Sequence, residues 1–182
     1  QGGENMVRFA AVMNDMGRAT GRSGLGAVMG SKNLKAIAAH GSKDIDVANP
    51  EELFRLVKGA IELGKNGPLG PIFAKYGTNM FLDAFESIGD VPFKYWTASD
   101  AVRGENAKIS GAVGGGKVYR DLMINNFHCE YCPIGCGREV KVKSPEKYAF
   151  EGHGYEYETG GSVGTLCMID SVKAVAKAND LM

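Results

Sequence analysis

Three of the chain's four cysteines, Cys129, Cys132 and Cys136, fall within one short stretch, HCEYCPIGCGR. This C-x2-C-x3-C spacing lets a single loop wrap a cubane and offer three thiolates to three irons. Pro133, Gly135 and Gly137 share the loop, and glycine there lets backbone N–H groups face the cluster sulfides and tune the potential. The competing readings are three buried free thiols or a zinc knuckle. Zinc sites usually pair two short hooks, and the sequence has no second hook. Cysteines so few and so clustered do not make a disulfide scaffold; they point to a metal site in a reducing compartment, and a cytoplasmic location is expected.

A cubane takes a fourth ligand, and Cys167 is the remaining cysteine, 31 positions beyond Cys136. Spacing permits it as that ligand. Its neighbours Leu166, Met168 and Ile169 equally suit a packed, inert thiol.

Charge and hydropathy exclude several other classes. Lys and Arg number 21 and Asp and Glu number 21, so no field of one sign is available to attract nucleic acid or an anionic membrane surface. The longest apolar runs, such as 36–39, fall far short of the roughly 20 residues that span a bilayer, so a soluble protein is expected. The first residues contain no initiator Met and no signal-peptide pattern, and the last helix ends without punctuation, so the chain is expected to be an internal piece of something longer. Its 182 residues suffice for one domain, or for the end of one and most of another.

Periodicity predicts strands over Met6 to Met13 and Leu34 to Ala39, with a short helix from Leu25 to Met29 between them. Asn49 can cap a helix, Pro50 suits its first turn, and Glu51 and Glu52 complement its dipole. Leu53, Val57, Ala60, Ile61 and Gly64 then form one face, predicted to be buried. Thr78 is expected to cap a second helix carrying Met80, Phe81, Ala84, Phe85 and Ile88, ended by Gly89. No period emerges from Val91 to Gly116, which reads as ordered loop. Lys117 to Ile124 reads as a short helix or turn, Arg138 to Val142 as a strand, and Ser171 to Leu181 as a final helix.

Two further segments carry chemistry. Arg18 to Lys32 combines glycine-exposed amides with Arg18, Arg22 and Lys32, a pattern suited to phosphate or another anion, although a plain turn explains it too. It fits neither a Walker loop nor a Rossmann fingerprint. Glu156 and Glu158, beside tyrosines, could exchange protons near a metal, or form a solvated acidic turn.

The stretches GENMVRFAAVMNDMGRATGRSGLGAVMGSKNLKAIAAHG, NNFHCEYCPIGCGREV and YEYETGGSVGTLCMIDSVKAVAKAND resemble three consecutive signatures of the aldehyde:ferredoxin oxidoreductase family. The likeness implies an α+β architecture: residues 1–45 would be the C-terminal part of a pterin-cradling N-terminal β domain, and residues 46–182 the first part of a mainly α-helical domain carrying the cluster loop. It implies a tungsten or molybdenum bis-pterin, a [4Fe-4S] cluster on Cys129, Cys132 and Cys136, and a magnesium ion bridging the pterin phosphates. Pterin contacts would fall on Arg18, Ala19, Thr20, Gly21 and Arg22. Glu156 would be the first choice for proton transfer and Glu158 the second, with Tyr155 where the family carries proline. The family's fourth cluster cysteine lies beyond this chain, which makes Cys167 a packing residue.

The activity implied is oxidation of an aldehyde to a carboxylic acid, with ferredoxin as electron acceptor and the remaining domains of the enzyme as structural partners. The piece alone is expected to be inactive. The alternatives are the catalytic subunit of a benzoyl-CoA-reductase-type complex and a pterin-free iron-sulfur electron-transfer module. The Arg18 to Lys32 stretch argues against the module, because an electron carrier has no use for it.

Overall fold

Glycine governs how the first forty residues pack. The computed structural model describes residues 1–14, 18–97, 103–114 and 120–182, and the chain divides into two compact units, Gln1–Ala48 and Asn49–Met182. In the first unit, strands β1 (Val12–Asn14) and β2 (Arg18–Thr20) pair antiparallel, with Asn14 opposite Arg18. Helix α1 (Leu25–Ser31) then returns over residues 3–11. A Cβ on Gly26 would lie 2.5 Å from the Ala11 carbonyl oxygen, and one on Gly30 would lie 1.8 Å from that of Gly3. Only glycine at these two positions, one helical turn apart, lets α1 rest directly on backbone.

The two strands expected here are largely absent. Residues 1–9 form turns, with Val7 N–H donating to Gly2 and Ala10 N–H to Val7, so their donors are used locally. Residues 34–39 carry no regular structure and find no strand to pair with among the described residues.

The second unit begins with α2 (Pro50–Asn66). The Asn49 side chain accepts from Glu52 N–H at 3.0 Å, and Pro50 occupies the first turn, as the local signals dictate. Its apolar face, however, is not buried. No residue of α2 is buried, and Leu53 and Val57 are each 45% exposed. Amphipathic spacing shapes a face, but burial needs a partner surface, and residues 70–76 together with the Pro133 and Ile134 side chains at Gly64 leave every residue of α2 at least partly exposed.

Helix α3 (Gly70–Tyr76) leads through Gly77 into a 3-10 turn, Thr78–Met80, and α4 (Phe81–Ser87). Thr78 makes no side-chain cap; its hydroxyl is engaged elsewhere, as described below. The stretch read as loop contains α5 (Arg103–Val113), while residues 98–102 and 115–116 of that stretch lie outside the described residues. Asn106, Ile109, Ser110 and Val113 form its buried side, so two polar residues interrupt the apolar period that would announce a helix.

Residues 117–119 also lie outside the described set, and 121–122 form a turn. Three antiparallel strands follow in sequence order: β3 (Met123–Phe127), β4 (Gly137–Val142) and β5 (Phe150–His153). A single α turn, α6 (Tyr157–Thr159), widens into a π-helix, Gly160–Thr165, before the final helix α7 (Val172–Leu181), whose cap is the Ser171 hydroxyl accepting from Ala174 N–H. The core gathers Leu82 from α4, Val113 from α5, Val140 and Val142 from β4, Tyr155, and Val172, Val175 and Ala176 from α7. The architecture is α+β, with small antiparallel sheets and, among the described residues, more helices than strands.

Candidate functional site

The cysteine loop is the connection between β3 and β4, residues 128–136. Cys132 N–H donates to the Cys129 carbonyl at 3.0 Å, closing a tight turn that sets these two cysteines close together. His128 Nδ1 lies 3.0 Å from the Cys132 carbonyl oxygen, and its ring covers Gly135, where a Cβ would fall 2.3 Å from the imidazole and φ is 64°. Asn126 anchors the loop from β3, its amide donating to the carbonyls of Gly135 and Ala74 at 2.7 Å each.

Cys129 is exposed, while Cys132 and Cys136 are half-buried. Burial pushes the Cys136 thiol above the ordinary cysteine range, and the charges of Glu156, Cys129 and Cys132 add to the rise. All three cysteines are thus within electrostatic reach of one another. Among the described residues, no three His, Cys, Asp or Glu side chains gather closely enough to hold a single metal ion. An iron-sulfur cluster is wider than an ion and joins thiolates that do not touch one another, so the donor set and its half-open loop fit that group.

Immediately after the loop, β4 alternates its side chains, so Arg138, Val140 and Val142 all point to the buried side. The Arg138 side chain is fully buried. Its Nη1 donates to the Cys136 carbonyl at 2.7 Å and to Glu156 Oε1 at 2.9 Å. Glu156 Oε2 accepts from Thr78 N–H at 3.0 Å and from the Thr78 hydroxyl at 2.5 Å, and that hydroxyl accepts from Tyr157 N–H at 3.2 Å. Gly77, at φ 61°, makes the room: a Cβ there would fall 1.7 Å from the guanidinium. Sequence reasoning singled out Glu156 but missed Arg138 and Thr78. The phase of Arg138 with Val140 and Val142 was the signal available for the arginine.

Glu158, two positions on, is exposed. Between them Tyr157 is half-buried, and burial, followed by the charges of Asp90 and Glu158, raises its phenol above the usual value. Tyr155, at 0% exposure, donates its hydroxyl to the Val113 carbonyl and serves the core. Cys167 does not pack as expected. It is exposed, with Sγ donating to the Ser162 carbonyl at 3.3 Å and lying 3.7 Å from the Tyr95 hydroxyl, which raises the Tyr95 pKa. Thr165, two residues earlier, takes the interior position, bonded to the Pro92 carbonyl at 2.6 Å.

In the first unit, regular strand stops at Thr20, so Arg18 to Gly24 is no continuous element. Arg18, Ala19, Thr20, Gly21 and Arg22 are all exposed, and Gly21 has nothing within 4 Å of where a Cβ would stand. The open backbone and the two cations suit a phosphate-bearing ligand. A separate cleft of this unit is lined by Asn14, Gly26, Gly30 and Lys35 among others.

Residues 1–41 match the family model for the N-terminal domain of aldehyde ferredoxin oxidoreductase, and residues 55–182 match the model for domains 2 and 3 of the same family. The tungsten-containing aldehyde ferredoxin oxidoreductase of Pyrococcus furiosus is 36% identical over 98% of this chain, and that of Thermococcus kodakarensis is 38% identical over 97%. In each case the chain spans 28% of the relative's length. An aliphatic sulfonate oxidoreductase WOR-like subunit of Pyrococcus furiosus is 49% identical over 31% of the chain and 9% of its own length. The order of the matched domains, their extent and the cysteine loop agree: the chain belongs to the aldehyde ferredoxin oxidoreductase family.

Proposed function

We propose that the protein to which this chain belongs oxidises an aldehyde to the carboxylic acid and delivers the electrons to ferredoxin. Bound in place, a tungsten or molybdenum bis-pterin would supply the two-electron chemistry, and a [4Fe-4S] cluster would pass the electrons on singly. Cys129, Cys132 and Cys136 hold the cluster, with the fourth thiolate coming from outside this chain. Arg18, Ala19, Thr20, Gly21 and Arg22 bind the pterin phosphates and their magnesium ion, the two arginines by charge and the glycine-opened backbone by N–H donation. Residues 1–45 serve as part of the pterin-cradling β domain, and residues 46–182 as the start of the helical region.

Oxidation of an aldehyde takes an oxygen from water and releases protons, which a fixed acceptor must receive. Glu156 is our first choice for that acceptor. Arg138 and Thr78 fix its carboxylate by three hydrogen bonds, and its side chain keeps 32% exposure through which a proton can leave. Glu158, exposed and without such an anchor in the hydrogen bonds described above, is the second. The observation that carries the reading is the convergence of the cysteine loop and the Glu156 segment on one guanidinium.

The test is metal analysis and assay of the full-length protein purified without oxygen. Iron with acid-labile sulfide, tungsten or molybdenum, and aldehyde-dependent reduction of a viologen dye are expected. Zinc in place of iron, or a fully metallated protein inert toward a panel of aldehydes, overturns the reading. No described helix is long and apolar enough to cross a membrane.

A further inference from the structure

Arg138 joins two segments that the proposed chemistry uses separately. Its Nη1 reaches the carbonyl of Cys136, the last cysteine of the loop, at 2.7 Å and the carboxylate of Glu156 at 2.9 Å. We infer that Arg138 and Glu156 form a charge pair that positions the cysteine loop and sets the reduction potential of the group that loop holds, Arg138 raising the potential and Glu156 lowering it. This rests on the reading that Cys129, Cys132 and Cys136 bind an iron-sulfur cluster.

The Arg138 side chain is 0% exposed and that of Glu156 is 32% exposed, so neither charge is fully screened by water, and fields act over several ångströms. One guanidinium nitrogen bridges the Glu156 carboxylate and the Cys136 carbonyl, so both charges lie beside the last cysteine of the loop. The negative charge of the glutamate disfavours an added electron on a cluster bound there, because like charges repel. The guanidinium lies against the same cysteine's carbonyl with the opposite sign, so it favours the added electron.

The surrounding structure protects this pair rather than merely tolerating it. Gly77, with φ 61°, stands where any side chain would displace the guanidinium, and Thr78 fixes the far oxygen of Glu156 by N–H and hydroxyl together. A buried arginine needed only to fill space would be served by a hydrophobic residue, often at no loss of stability. A pair retained for its charges predicts a pattern that a packing role does not. Removing the two partners one at a time must shift the potential in opposite directions.

The experiment is an EPR-monitored redox titration of the cluster in the full-length enzyme, assembled with all its cofactors, for wild type, Glu156→Gln, Arg138→Met, the double variant and Thr78→Val. Glu156→Gln should raise the midpoint potential and Arg138→Met should lower it, with the double variant lying between the two. Thr78→Val keeps both charges while loosening Glu156, and its potential should stay close to wild type. If Arg138→Met fails to retain a cluster, Glu156→Gln measured against Thr78→Val decides alone. Shifts of the same sign, no shift, or a Thr78→Val shift equal to that of Glu156→Gln overturns the inference while leaving the cluster reading intact. A wild-type enzyme without iron and sulfide overturns both.

Discussion

The side-chain amide of Asn126 donates to the carbonyl of Gly135 at 2.7 Å and, by the same nitrogen, to Ala74 at 2.7 Å. One residue of β3 thereby ties the far side of the cysteine loop to helix α3. Asn126→Ala removes the donor from both carbonyls, and leaving partly buried acceptors unpaired costs about 1 to 3 kcal/mol. The expected result is a lower unfolding midpoint and faster loss of iron to a chelator, with the three cysteines untouched. Chelator kinetics equal to wild type would mean that Asn126 does not hold the loop.

Two glycines make opposite predictions for the same substitution. At Gly77, φ is 61° and a Cβ would meet the Arg138 guanidinium at 1.7 Å, so Gly77→Ala must distort either the backbone or the buried arginine. With ψ at -165° this is a backbone conformation that essentially only glycine adopts, costing another residue about 1 to 3 kcal/mol, and displacing a buried ion pair adds to it. At Gly59, in the middle of α2, nothing lies within 4 Å of the added atom. Gly59→Ala should stabilise by roughly 0.5 to 1 kcal/mol, through helix propensity. Chemical denaturation of the two variants side by side checks both signs.

Helix α2 has no buried residue, so local terms carry much of its stability within this chain. The Asn49 side chain satisfies Glu52 N–H, and Asn49→Ala should cost about 1 kcal/mol. Hydrogen exchange should quicken at the amides of the first turn of α2 and leave β4 unchanged, whereas Asn49→Asp should restore protection. Unchanged exchange at Glu52 in the alanine variant would show that the cap contributes nothing.

These elements differ in how far the sequence announced them. The start of α2, the strand over 137–142 and the helix at 172–181 rest on signals within a few residues: a cap, a proline, an alternation, a 3.6-residue period. Helix α5 was hidden because Asn106 and Ser110 occupy buried positions in its apolar stripe. Strand β3 was hidden because Asn126 spends its side chain on tertiary hydrogen bonds that turn chemistry does not foretell. The burial of α2 was overpredicted for the converse reason, since an apolar face does not state what covers it. In the site, cysteine spacing alone pointed to the loop, but the anchor of Glu156 is Thr78, 78 positions away in sequence. A contact of that range leaves no local trace. Arg138 was within reach, being in phase with Val140 and Val142, yet a charge in a strand reads first as a solvent-facing one.

Cys167 separates arithmetic from structure most sharply. It is the one cysteine outside the loop, and a three-thiolate site needs a fourth ligand. Its sulfur is exposed and donates to the Ser162 carbonyl at 3.3 Å, beside the Tyr95 hydroxyl at 3.7 Å. A serine hydroxyl can make both of those bonds, so Cys167→Ser in the complete enzyme should keep its iron and sulfide. At an exposed position its stability should change by no more than about 0.5 kcal/mol. Cys132→Ser should instead lose the cluster, because an alkoxide is a poor ligand for these irons and the loop would retain only two thiolates. Iron and sulfide counts on the two variants, purified together without oxygen, give the answer. If serine at 167 strips iron as thoroughly as serine at 132, the fourth ligand lies within this chain and the exposed geometry of Cys167 belongs to a state that closes when the cluster binds.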